Sequence, residues 1–101
     1  MVEQKPSFIG GDVNAFSMWV NRRLKYPEEA YKRGVQGRVT VQFVVKFDGT
    51  VSDVRVLNGV EKSLDAEAVR VVSQSPKWKP GISRGRAVDV TITFPVIFQL
   101  R

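Results

Sequence analysis

The 101-residue sequence contains neither cysteine nor histidine. Without cysteine the chain forms no disulfide and no thiolate metal site, and without histidine it holds no imidazole metal site and no Ser-His-Asp triad. No apolar run approaches the ~20 residues that span a bilayer. These absences argue against an enzyme, and we expect neither a bound metal nor a cofactor.

The composition is typical of one small folded domain. Hydrophobic residues make up 43% of the chain and charged residues 26%, a balance found in globular proteins and not in disordered segments. The length suits a single core, so we interpret residues 1–101 as one domain with a flexible lead-in over residues 1–11. The formal net charge of +6 would attract nucleic acid, anionic lipid or an acidic protein.

A first amphipathic helix is predicted from Val13 to Leu24, with Asp12 as its N-cap. Its apolar residues recur at the spacing of one helix face. They are Phe16, Trp19, Val20 and Leu24. A helical turn follows in YPEEAYKRG, with Pro27 at its first position and Gly34 as its C-terminal cap.

A second helix is predicted from Leu64 to Gln74, capped by Ser63 and ended by Pro76. Its apolar stripe consists of Leu64, Ala68, Val71 and Val72. Trp78 then precedes a Pro-Gly turn, and we interpret it as a lid packed over the core.

Alternating polar and apolar residues predict a hairpin between these helices. The apolar positions of its first strand are Val39, Val41, Phe43, Val45 and Phe47. Asp48-Gly49 is a strong hairpin signal, and VSDVRVLN is the return strand. Its alternation shifts near Ser52 and Asp53, which indicates a bulge.

The last strand, DVTITFPVIFQL, contains Pro95, which has no N–H to donate to a sheet ladder. We therefore place this strand at a sheet edge. Over residues 88–100 it would outrun its partner strand and leave open backbone groups. The backbone groups of alternate residues in a strand point to opposite sides, and those of Pro95 must point away from the partner strand. The backbone groups of Thr91, Thr93 and Ile97 would then also face the free edge.

The order helix, turn, strand, strand, helix, strand indicates an α+β fold. A crossover through the second helix leaves the second and third strands parallel in direction. The first strand then lies between them, giving a three-stranded antiparallel sheet of order 2-1-3 with two helices packed on one face. The predicted core is Phe16, Trp19, Val20, Val39, Val41, Phe43, Leu64, Ala68, Val72, Ile92 and Phe94.

The series YPEEAYKRGVQGRVTVQFVVKFDGTVSDVRVL, LDAEAVRVV, WKPG and a terminal FPVIFQL resembles the C-terminal domain of the TonB family over roughly residues 10–100. Each piece is common, but their order and spacing are specific. The FIGG lead-in and the form of the last strand are similar to TonB-like domains of the Bacteroidetes type.

The resemblance implies a non-enzymatic periplasmic domain, cut from a longer protein and anchored to the inner membrane through a segment outside this sequence. Such domains bind the TonB box of outer-membrane transporters as an added strand beside their last strand. They couple the inner-membrane proton-motive force to uptake, for example of siderophores. Inner-membrane motor proteins would be reached through the absent N-terminal region, and the last strand could also pair with a second copy.

The resemblance and the edge argument together name the expected partner-binding residues. Arg84 and Arg86 stand beside the edge and would steer an acidic peptide, while the YP motif supplies contacts at the other side. The full set is Lys25, Tyr26, Pro27, Arg84, Arg86, Asp89, Thr91, Thr93, Pro95 and Ile97.

Two alternatives stay open. A TonB-like domain can also end a membrane-bound sensor peptidase. A basic nucleic-acid-binding module is the second, but base stacking needs aromatic residues on the open sheet face. The outward positions of the first strand hold none, being Arg38, Thr40, Gln42, Val44 and Lys46, so we expect no nucleic acid.

Overall fold

The computed structural model describes residues 3–9 and 11–100. Its helices are α1 (Val13–Arg23), α2 (Glu28–Lys32) and α3 (Lys62–Ser73). Its strands are β1 (Ser7–Phe8), β2 (Gly37–Val45), β3 (Val51–Asn58), β4 (Trp78–Lys79), β5 (Gly81–Ser83), β6 (Arg86–Val88) and β7 (Val90–Phe98). Within these described residues no helix has the length and apolarity that a membrane crossing requires.

The main sheet is antiparallel, with the strand order β3-β2-β7. The predicted α+β fold and the predicted order 2-1-3 are therefore confirmed, with β2 at the centre. Two further two-stranded ladders, β1 with β4 and β5 with β6, were not predicted.

The turn between β2 and β3 forms at Asp48-Gly49, as predicted. The N–H of Gly49 donates to the carbonyl of Lys46 at 2.8 Å, and the Asp48 carboxylate accepts the N–H of Thr50 at 3.0 Å. The predicted bulge is also present, since the register with β2 shifts around Asp53, whose φ is +54°. A second register shift, opposite Thr40, was not predicted.

The core lies between the main sheet and the helices α1 and α3. Nine of the predicted core residues are buried, whereas Trp19 and Ile92 are partly buried and pack against the rest. Phe47, the last apolar residue of the predicted alternation, is 58% exposed because β2 ends at Val45 and Phe47 lies in the turn. The core also includes residues from outside the predicted set, Phe8, Ala30, Val45, Val71, Trp78, Val96 and Phe98.

Trp78 is buried, as its predicted role as a lid requires. Its indole N–H donates to the Ser75 hydroxyl at 2.9 Å, and its backbone pairs with Phe8 in the β1–β4 ladder. Part of the predicted lead-in is thus built into the fold. Met1, Val2 and Gly10 of that lead-in lie outside the described residues, as does Arg101.

Two helix starts differ from the predictions. The N-cap of α3 is Glu61 and not Ser63, whose hydroxyl lies inside the helix and donates to the Glu61 carboxylate at 2.7 Å. Pro27 is the N-cap of α2 and not its first helical residue. In both cases the helix begins one or two residues away from the position that sequence preferences favour.

Candidate functional site

Strand β7 forms one edge of the main sheet and is regular along its whole length. Its nine residues pair without interruption with β2, from Val90 opposite Val45 to Phe98 opposite Gly37. Among the described residues no strand pairs with its other side. An edge of this kind presents a row of N–H and C=O groups that can template an added strand.

Pro95 determines which backbone groups face that free side. It lies opposite Thr40, and a proline cannot exchange two N–H···O bonds with a partner, so this is a non-hydrogen-bonded pair. Alternation along the strand then turns the N–H and C=O groups of Thr91, Thr93 and Ile97 away from β2. This is the row that the sequence argument assigned to the free edge.

The predicted overhang of the last strand is wrong. The strand begins at Val90 and ends at Phe98, level with the ends of β2. Residues 86–88 belong to a separate hairpin with β5. Between them, the Asp89 carboxylate accepts the N–H of Phe47 at 2.8 Å and so ties the start of β7 to the β2–β3 turn.

The opposite edge of the sheet, β3, is a poorer template for an added strand. Its pairing with β2 shifts register twice, and Asp53 has a positive φ of +54°. Bulges twist an edge and interrupt its row of backbone groups. The two edges of the sheet therefore differ, and the regular edge is β7.

The YP motif lies at the Phe98 end of β7. The Tyr26 ring meets the Phe98 ring edge-on, with 5.6 Å between centroids, and its hydroxyl donates to the carbonyl of Val35. Partial burial raises the pKa of Tyr26. The side chain is half-buried, so it anchors this segment to the sheet.

Lys25, just before Tyr26, is held by Glu67 of α3. The Lys25 N–H donates to the Glu67 carboxylate at 2.7 Å, and the Arg70 guanidinium donates to the same carboxylate at 2.7 and 2.8 Å. Burial raises the pKa of Glu67, but these hydrogen bonds outweigh it and leave the pKa below its ordinary value. Glu67 therefore fixes the position of the YP motif relative to α3.

Glu67→Gln is expected to lower the free energy of unfolding by about 1 to 2 kcal/mol at pH 7, since it weakens charge-assisted hydrogen bonds. Because the folded-state pKa is depressed, this stabilisation is fully present above the ordinary pKa of 4.5. It is lost as the pH falls through the folded-state pKa. Urea unfolding of both proteins between pH 7 and pH 3 measures the difference.

Glu28→Gln is the matched control, because the Glu28–Lys32 pair is an exposed ion pair on α2 with side chains 83% and 65% exposed. Its loss should cost no more than about 0.5 kcal/mol at any pH. Equal losses for the two substitutions would contradict an anchoring role for Glu67.

Arg84 and Arg86 lie at the opposite end, in the hairpin that precedes Val90. Arg84 is at the tip of a tight turn, with φ of +52°, and both side chains are exposed. Eight steps of ~3.3 Å along β7 separate its two ends by roughly 26 Å. The expected site residues therefore do not form one cluster. The two arginines lie at the Val90 end of β7 and the YP motif at the Phe98 end.

A groove beside the first half of β7 was not predicted. Its volume is about 350 Å³, and Lys5 and Pro6 line it opposite residues 90–93. The sequence holds no signal for it, because it depends on non-local pairing of Gln4 with Ile82.

An α+β domain with one regular exposed edge strand has the architecture to which peptides add a strand in several known recognition modules. Residues 22–100 match the family described as the Gram-negative bacterial TonB protein C-terminal. The chain therefore belongs to the TonB C-terminal family. The narrower assignment to the Bacteroidetes type stays a prediction.

Individual relatives agree with this family. The chain is 32% identical over 75 residues to Protein TonB of Pseudomonas aeruginosa, an alignment covering 74% of this chain and 22% of the relative. It thus spans about a fifth of that protein. The solution structure of the P. aeruginosa TonB C-terminal domain superposes with a TM-score of 0.59 at 29% identity, covering 77% of this chain and 82% of that one.

A Helicobacter pylori TonB C-terminal domain has the same fold, with a TM-score of 0.67 at 22% identity. The match covers 86% of this chain and 91% of that domain.

Proposed function

We propose that this chain is the partner-binding domain of a TonB-type energy transducer, and that β7 binds the TonB box of outer-membrane transporters as an added strand. The observation that carries the proposal is the contrast between the two sheet edges. Strand β7 pairs regularly over nine residues, whereas β3 is interrupted by two register shifts.

Strand addition suits a domain that serves several transporters. Main-chain hydrogen bonds supply affinity without reading side chains, so peptides of different sequence can bind the same edge. The net charge of +6 and the exposed Arg84 and Arg86 favour acidic partners and speed their association. The function is one of binding and does not require catalysis.

The proposal also places the domain in the periplasm, anchored to the inner membrane through a preceding segment. That segment would contact the motor proteins and transmit the proton-motive force to the bound transporter. In the absence of a transporter, the same edge of β7 would be free to pair with a second copy of the domain.

Thr93→Pro is expected to weaken binding of an acidic TonB-box-type peptide about tenfold. The substitution removes an N–H that faces the free edge, and one hydrogen bond is worth about 1 kcal/mol or slightly more. The β2–β7 ladder should survive, since Pro95 already occupies an equivalent position. Isothermal titration calorimetry with a synthetic ten-residue peptide measures the affinity.

Thr93→Ala is the matched control, because it shortens the side chain and keeps the N–H. It should bind within about twofold of the unsubstituted chain. Amide exchange then locates the peptide: Thr91 and Thr93 should become protected. Protection along Val51–Asn58 instead would show that β3 is the working edge and would refute the proposal.

A further inference from the structure

Residues 3–6 lie beside the free edge of β7. The N–H groups of Glu3 and Gln4 donate to the carbonyl of Ile82 at 2.7 and 3.1 Å, and the Ile82 N–H donates to the carbonyl of Gln4 at 2.9 Å. This short ladder with β5 holds Lys5 and Pro6 across from the first half of β7.

The space between this segment and β7 is the groove of about 350 Å³ described above. It closes at the Val90 end, where the two sides converge on Gly81. A Cβ added at Gly81 would lie 2.7 Å from Cγ2 of Val90 and 3.3 Å from Cδ of Pro6. From there its lining continues along β7 to Thr93, past the backbone groups of Thr91 and Thr93 that face the free edge.

The lining of the groove has a simple chemistry. Pro6, Val90 and Ile92 are apolar, the two threonines are neutral, and Lys5 is the one charged lining residue. Arg84 and Arg86 add positive charge near the same end, in the hairpin that leads into β7. The nearby Asp89 carboxylate already accepts the N–H of Phe47.

We infer that Lys5 and Pro6 form the second wall of a peptide subsite, and that this subsite takes an extended peptide with an acidic residue next to an aliphatic one. The inference rests on the proposed strand addition to β7. A strand paired at Thr91 and Thr93 passes through the groove, where its aliphatic side chain packs between Pro6 and Ile92. Its carboxylate pairs with the Lys5 ammonium, so the acidic end of the peptide lies at the Val90 end.

A double-mutant cycle tests this pairing. The probes are two synthetic ten-residue peptides of alternating serine and valine, with one glutamate near either the N-terminus or the C-terminus, and their glutamine counterparts. Lys5→Gln should weaken one of the glutamate peptides about threefold to fivefold, the range of an exposed ion pair, and leave its glutamine counterpart unchanged. The peptide that responds reports the direction of the added strand.

Lys62→Gln is the control for the loss of one positive charge. Lys62 lies two residues after Val60, whose side chain packs close to Gly37. Because Gly37 pairs with Phe98, Lys62 lies at the Phe98 end of β7, far from the groove. It should leave all four affinities unchanged within about twofold.

The outcomes separate this inference from the proposed function. If Lys5→Gln weakens glutamate and glutamine peptides equally, or weakens neither, the subsite is refuted. Strand addition itself would still hold if the amide-exchange measurement shows that Thr91 and Thr93 become protected when a peptide binds. Binding of none of the peptides would refute both.

Discussion

Phe16→Ala is expected to lower the free energy of unfolding by about 3 to 5 kcal/mol, the usual cost of truncating a buried phenylalanine. Small domains are stable by only about 5 to 15 kcal/mol in total, so the variant should be near the limit of folding. Urea unfolding at 25 °C, followed by tryptophan fluorescence, measures the loss.

The reason is the position of Phe16 at the centre of an aromatic cluster. Phe16 is fully buried, and the centroid of its ring lies 4.8 to 6.0 Å from the centroids of five other aromatic rings. They are Phe8, Trp19, Phe43, Trp78 and Phe94. These rings come from β1, α1, β2, β4 and β7. The cavity left by Phe16→Ala would therefore remove contacts that join α1 to four strands.

Met18→Ala is the control on the same helix, because Met18 is 55% exposed. It should change stability by no more than about 0.5 kcal/mol. Alanine has the higher helix propensity, so a loss at Met18 comparable with that at Phe16 could not come from α1 itself and would contradict the central role of the aromatic cluster.

The sequence predicts those parts of the fold that depend on local patterns. Alternation over Val39, Val41 and Phe43 places β2 against the core, and Asp48-Gly49 sets the hairpin. Even the bulge at Asp53 has a local signature, the break in alternation of β3.

The parts that sequence patterns miss depend on non-local contacts. Two residues, Ser7 and Phe8, pair with β4 across some seventy positions, and a two-residue strand has no periodicity to detect. The predicted long strand is interrupted near its start, at Asp89, whose carboxylate accepts the N–H of Phe47. Tyr26 is half-buried because α2 and the end of β7 enclose it.

The candidate site divides in the same way. Pro95 alone predicts that β7 is an edge, since the rule that excludes proline from central strands is local. The groove wall at Lys5 depends on the tertiary pairing of Gln4 with Ile82. The residues at the two ends of β7 lie roughly 26 Å apart, a separation that follows from the regular length of the strand.

Pro95 also bears on how an exposed edge is kept from indiscriminate pairing. A regular, open edge strand invites edge-to-edge association with other chains. Pro95 removes one donor from the free side in the second half of β7, between Thr93 and Ile97. The first half keeps its donors, and that half is the part beside the groove. The edge is thus open where a peptide is proposed to bind and interrupted beyond it.

Gly49→Ala is expected to lower the free energy of unfolding by about 2 to 5 kcal/mol. Gly49 has a φ of +88°, a left-handed conformation that costs an alanine about 1 to 2 kcal/mol. Its new Cβ would also lie 2.2 Å from the carbonyl oxygen of Trp78. That atom is backbone and cannot swing aside, so overpacking should add about 1 to 3 kcal/mol.

Gly34→Ala separates the two contributions. Gly34 has a φ of +69°, but nothing lies within 4 Å of a Cβ added there. The loss of stability should therefore be only the cost of the left-handed conformation, about 1 to 2 kcal/mol. Urea unfolding of both variants measures the difference, and equal losses would show that Trp78 adds nothing. A larger loss at Gly49 would show that the hairpin turn is held by a tertiary contact. The Trp78 N–H donates to the carbonyl of Gly49 at 2.7 Å, and that close approach leaves no room for a side chain.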